Sequence, residues 1–158
     1  MNACAPHIAF AAFLGCCASR RWATRLAAHR PYPDLEALLA AADEAAYDLT
    51  DADLAEALTR ETATTPHQRT TRPGHFAAET ALSAAHAAYE SRFGHAFLLC
   101  LDACPPEEAL DRVLTAIRSR LGNDREDERA LTTEELRRIA RGRLARLVLN
   151  TRPGRDGG

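Results

Sequence analysis

A chain of 158 residues, 46% hydrophobic and 27% charged, can build one self-sufficient core without staples. A formal charge of −2 with scattered basic residues excludes the basic footprint of a nucleic-acid binder and the patch that docks on an anionic membrane. All 20 basic Lys+Arg positions are arginine, which excludes a Schiff-base lysine, a pyridoxal-phosphate anchor and a P-loop lysine together.

The first helix is expected over residues 6–17, with proline in its opening turn and Ile8, Phe10, Phe13, Leu14 and Cys17 as its apolar surface. Ser19 can cap a second helix carrying Trp22 and Leu26 one turn apart, which ends before Pro31. Tyr32-Pro33-Asp34 opens a third helix, whose Leu35, Leu38, Leu39 and Ala42 form a stripe. Thr50 caps a short fourth, with Leu54 and Leu58 inward. Residues 61–75 contain two prolines and no apolar periodicity, so they read as a loop.

A fifth helix is expected over residues 77–93, stopped by Gly94. The run Phe97-Leu98-Leu99-Cys100-Leu101 is too short for periodicity and reads as buried extended chain. Pro105-Pro106 opens a sixth helix marked by Leu110, Val113, Leu114, Ile117 and Leu121, and Gly122 ends it. Asn123 with Glu126, and Thr132 with Glu135, make two capping pairs, which predict separate seventh and eighth helices. The expected fold is an all-α, single-domain bundle of seven to eight helices over residues 1–150, with a disordered tail at 151–158.

Cysteines 4, 16, 17, 100 and 104 are odd in number and lack a CxxC pair, which argues against a disulfide framework or a zinc site. Cys16 and Cys17 read as small apolar residues on a packed helix. No basic residue precedes the first apolar stretch, as a signal peptide requires, and no segment reaches transmembrane length. The expectation is a cytoplasmic protein that is not in a membrane and needs no metal.

Helical wheels place a few polar residues on apolar faces. With Leu136 at zero, Arg143 falls at about −20°, in the middle of the inward arc of the last helix. It is either an internally paired or snorkelling side chain, or an anion-binding arginine for a small carboxylate. With Leu82 at zero, Tyr89 falls at about −20°, His86 at about +40° and Glu79 at about +60°. His86 and Glu79 are either core residues or a buried pair for proton transfer, the carboxylate fixing the imidazole's tautomer. No GxSxG, HExxH, P-loop or dinucleotide fingerprint is present.

The stretch from Leu82 to Cys100, LSAAHAAYESRFGHAFLLC, resembles the segment LN-x-x-Y-x-x-[KR]-FG-x-x-F-[IV]-[IV] of the 2-oxo-4-hydroxy-4-carboxy-5-ureidoimidazoline (OHCU) decarboxylase family. Arg120-Leu-Gly-Asn123 resembles that family's RL-x-N helix end, and residues 135–148 its closing helix; Trp22 resembles its early tryptophan. The resemblance implies a cofactor-free helical homodimer that converts a small-molecule substrate, OHCU, to (S)-allantoin in urate breakdown. It also implies that Arg143 binds substrate and that Phe97 and Leu99 line the site and offer it backbone groups. Where the family carries a catalytic His-Pro after the fourth helix, this chain has Thr59-Arg60-Glu61-Thr62, and an insert with a Glu-Gln pair is missing before Ala77. Either His86, Glu79, His67 or His75 does the proton chemistry, or the chain is an inactive paralogue that binds a small ureide or carboxylate or acts as an assembly partner.

Overall fold

The computed structural model describes residue 2, residues 4–66 and residues 75–151. His67, the side chain of His75, Arg152, Pro153 and the rest of the expected tail lie outside the described residues. Among the described residues there are seven helices and no strand, so the chain is all-α as its periodicity predicts. No described helix is long and apolar enough to cross a membrane.

The helices are α1 (Pro6–Cys16), α2 (Arg20–Ala28), α3 (Leu35–Tyr47), α4 (Asp51–Leu58), α5 (His75–Phe93), α6 (Ala109–Arg120) and α7 (Arg125–Asn150). They form two compact units. One runs to Arg60 and resumes at Arg137, and the other is Glu61–Leu136, so the division falls inside α7.

In the first unit, the caps read from sequence at Ser19 and Thr50 are in place, and Asp34 supplies another. The Ser19 hydroxyl accepts from the Trp22 amide at 3.3 Å, and the Asp34 carboxylate accepts from the Ala37 amide at 2.8 Å. Thr50 and Asp53 form a reciprocal capping box, each interaction satisfying a donor that the helix start leaves open. The core is alanine and leucine around Phe13 and Trp22, both fully buried. The Trp22 indole N–H donates to the Ala42 carbonyl at 2.9 Å, so the largest side chain is also fixed in direction. Cys16 and Cys17 are buried, as expected. Ile8 departs from the expected apolar face of α1: it is 53% exposed, and Ala9, one position on, is buried.

In the second unit, α5 starts two residues before the expected Ala77 and ends at Gly94, whose φ of 81° is left-handed. A Cβ is strained there, which is why glycine terminates the helix. Residues 96–101 carry neither helix nor strand. Leu82, Tyr89, Phe97, Val113 and Ile117 pack into one cluster.

The expected break between a seventh and an eighth helix does not occur. Asp124 caps α7, accepting from the Glu126 and Asp127 amides at 2.9 Å each, in place of the Asn123 cap. The Asn123 amide instead donates to Glu128 at 2.9 Å. Thr132 is buried inside the helix, where its hydroxyl accepts from Arg120 at 3.1 Å. Glu135 accepts the Cys100 amide at 2.7 Å. Both halves of the second expected cap are spent on tertiary partners, so α7 runs through.

Candidate functional site

His86 projects from α5 with its ring centroid 6.2 Å from that of Phe97. Its Nε2 is buried with no hydrogen-bond partner. Orphaned buried polar atoms are rare enough to need a reason, and an open ligand site is one. Burial pushes the His86 pKa below its usual value, more than the Thr64 backbone and the Glu90 charge raise it. The ring is therefore held toward its neutral form.

Glu79 is exposed rather than buried against His86, and the carboxylate that bears on the imidazole is that of Glu90. The expectation of a buried His86–Glu79 pair fails on axial distance. Seven residues bring a side chain back to nearly the same face but about 10 Å along the helix, whereas four bring it one turn away.

The Phe97–Leu99 segment is fastened from both sides. The Thr64 amide donates to the Phe97 carbonyl at 2.8 Å. The Leu99 amide donates to the Thr64 hydroxyl at 2.8 Å, and that hydroxyl donates to the Leu99 carbonyl at 3.2 Å. On the other side, Arg120 donates to the Leu98 carbonyl at 2.7 Å. The backbone groups that Phe97 and Leu99 were expected to lend to a ligand are in part engaged within the chain. Both carbonyls and the Leu99 amide have partners within the chain, and the Phe97 ring and Leu99 side chain add ring and aliphatic surface.

Behind the segment lies a buried polar network that the sequence reading missed. The Arg120 guanidinium donates to Glu128 through Nε at 2.8 Å and through Nη2 at 2.6 Å. It stacks 4.6 Å from the Phe97 ring centroid, and Tyr89 meets the same ring edge-on at 5.0 Å. The Tyr89 hydroxyl donates to Glu128. Burial raises the Glu128 carboxyl, but hydrogen bonds from Arg120, Tyr89 and Asn123 outweigh it and hold the group below the usual range. Burial, and then the bond to Glu128, push Tyr89 up to about 12. A signal was available in the sequence: with Val113 at zero, Arg120 falls at about −20°, within the apolar stripe of α6.

Arg143 belongs to the first unit, where its guanidinium donates to the Cys16 carbonyl at 3.2 Å. It is partly buried, as the wheel places it. The same unit holds a cleft of about 190 Å³ beside Tyr32, Asp34, Leu38 and Val148 that contains none of the expected site residues.

Comparison with known proteins gives this geometry a context. The OHCU decarboxylase family profile matches residues 2–145. An OHCU decarboxylase structure solved in the presence of (S)-allantoin is similar with a TM-score of 0.68 and 21% identity, over 85% of this chain and 95% of that one. An (S)-allantoin synthase structure is similar with a TM-score of 0.67 and 17% identity over 91% of this chain. This chain spans about half the length of that synthase, 51% of it. No curated protein matches the sequence. The family profile covers nearly the whole described chain: this protein belongs to the OHCU decarboxylase family.

Proposed function

We infer that the protein catalyses cofactor-free decarboxylation of OHCU, or of a closely related small ureido acid, to (S)-allantoin or its analogue. The observation that carries this reading is the buried, unpartnered Nε2 of His86 beside the Phe97 ring, in a family of decarboxylases. When CO2 leaves, its bonding electrons pass into the adjoining conjugated ring, and a proton must then reach one face of a ring carbon. A neutral imidazole can take the proton of the hydroxyl beside the leaving carboxylate and return it to carbon, and the one further proton that loss of CO2 from a carboxylate consumes, taken up at the ring nitrogen, comes from solvent. With Nε2 unpartnered, the interaction with the Thr64 backbone falls to Nδ1, which leaves the Nε2 lone pair as the reactive atom. Phe97 and Leu99 supply the apolar wall beside His86; Arg143, in the other unit, is put forward separately, on the family resemblance, as a guanidinium for a small carboxylate. The working form is a cytoplasmic homodimer.

The test follows allantoin formation from freshly generated OHCU by circular dichroism, with and without the protein. Rapid appearance of one enantiomer, abolished in His86→Asn and barely changed in Glu79→Gln, is the expected result. A trace at the spontaneous rate across pH 6 to 8 overturns it. A second reading, ligand binding without turnover, is favoured by Thr59-Arg60-Glu61-Thr62 standing where the family has His-Pro. It predicts a rise in melting temperature with allantoin that is lost in Arg143→Ala, and no catalysis.

A further inference from the structure

Thr64 touches more of the candidate site than any residue read from the sequence. Its amide holds the Phe97 carbonyl at 2.8 Å. Its hydroxyl both accepts the Leu99 amide at 2.8 Å and donates to the Leu99 carbonyl at 3.2 Å. One hydroxyl carries one donor and two lone pairs, so a single side chain can occupy both peptide groups of Leu99. This is the pairing a neighbouring strand would otherwise give, in a segment that has no strand beside it among the described residues. The backbone of Thr64 also bears on the His86 imidazole. The residue is β-branched and stiff at χ1, so the hydroxyl direction is set once the backbone is placed.

We propose that Thr64 is a positioning residue, whose amide and hydroxyl clamp the Phe97–Leu99 segment so that the Phe97 ring and the His86 imidazole keep one fixed arrangement. The proposal rests on the reading of His86 and Phe97 as the reactive corner. A valine at this position keeps the shape and deletes both hydroxyl hydrogen bonds. A serine keeps both bonds and deletes only a methyl group.

The experiment uses the full chain as wild type, Thr64→Val and Thr64→Ser, and reads two things in parallel. The first is kcat and KM for OHCU. The second is the ¹⁵N spectrum of the His86 imidazole, which reports tautomer and protonation without any turnover. Thr64→Val is expected to lower kcat by roughly tenfold or more with KM little changed, since small misplacements at a reacting group cost rate before binding. It is also expected to shift the His86 ¹⁵N signals toward a mixture of tautomers, and Thr64→Ser to restore both readouts. A folded Thr64→Val protein with wild-type kcat and wild-type ¹⁵N shifts overturns the proposal, even if it is less stable. If valine unfolds the chain, Thr64→Ala deletes the same hydroxyl with less demand for space and replaces it in both readouts. If wild type shows no turnover, the decarboxylase reading falls on its own, and the ¹⁵N spectrum alone decides for or against Thr64.

Discussion

The two compact units treat charge in opposite ways. In the first, Arg137 and Arg141 of α7 both donate to Asp43 of α3 at 2.6 Å, with all three side chains partly open to solvent. Arg20 and Arg25 reach Glu56 and Asp48 at still more exposed positions. In the second unit, Arg120 and Glu128 are 8% and 1% exposed. The difference follows from what each core is made of. In the first unit Phe13 and Trp22 are enclosed by alanine and leucine, and the ring on which Arg137 stacks, Tyr47, is 68% exposed. Phe97 and Tyr89 offer ring faces and a hydroxyl, and arginine, planar and weakly hydrated, is the cation that can use them. The Phe97–Tyr89 cluster thus takes in an ion pair, while the first unit holds the Asp43 pairs at its rim.

The sharpest way to break this comparison is Arg120→Met, which keeps the aliphatic bulk and leaves Glu128 buried without its cation. Removing one partner of a buried pair costs about 3–5 kcal/mol, to be read from urea denaturation at pH 7. Arg120→Met combined with Glu128→Leu is expected to recover most of that loss, because a matched apolar pair no longer has a charge to desolvate. A single variant that loses less than about 1 kcal/mol shows that the network is as cheap as a surface bridge.

What was legible in the sequence divides along the same line between local and long-range chemistry. Ser19 and Thr50 could be read as caps because a capping side chain satisfies an amide two or three residues away. Thr132 looked like a cap by the same rule and is not one, because its partner Arg120 is brought in by tertiary packing. The helical wheel found His86 and Arg143 as polar residues on inward faces, yet it reports face and not height. That is how Glu79 came to stand for Glu90. Thr64 left no trace: it sits in an aperiodic polar stretch, and its partner Leu99 lies 35 residues further on. Its role exists only once the segments have met.

His86 sharpens the comparison from a third direction, as a group that stays neutral where Arg120 stays charged. Burial lowers its pKa from the ordinary 6.5 despite the raising effects of the Thr64 backbone and Glu90. The unfolded chain therefore takes up a proton first as pH falls below 6.5, so stability drops with acidification until the folded-state pKa is passed. Above 6.5 the group contributes no slope. His86→Asn is expected to flatten the stability profile between about pH 7 and pH 5 relative to wild type, by urea midpoints at matched ionic strength. Parallel profiles mean that His86 is not held neutral.

The smallest effect belongs to Asp43, and its size decides whether the rim charges differ in kind from the buried ones. Asp43→Ala removes the acceptor of both α7 arginines and leaves two like charges four residues apart on one helix. Partly exposed pairs contribute about 0–1 kcal/mol, and like charges at that spacing oppose the helix by a few tenths. Arg137 keeps its stacking on the Tyr47 ring, 5.5 Å to the centroid, which limits the loss further. The expected cost is therefore about 1 kcal/mol, and it shrinks as salt rises from about 0.05 to about 1 M, where screening falls to a few ångströms. The Arg120→Met loss is expected to keep its size over the same salt range, because its charges lie out of reach of the ions. Equal salt dependence in the two variants would place both ion pairs in the same environment and remove the distinction between the units.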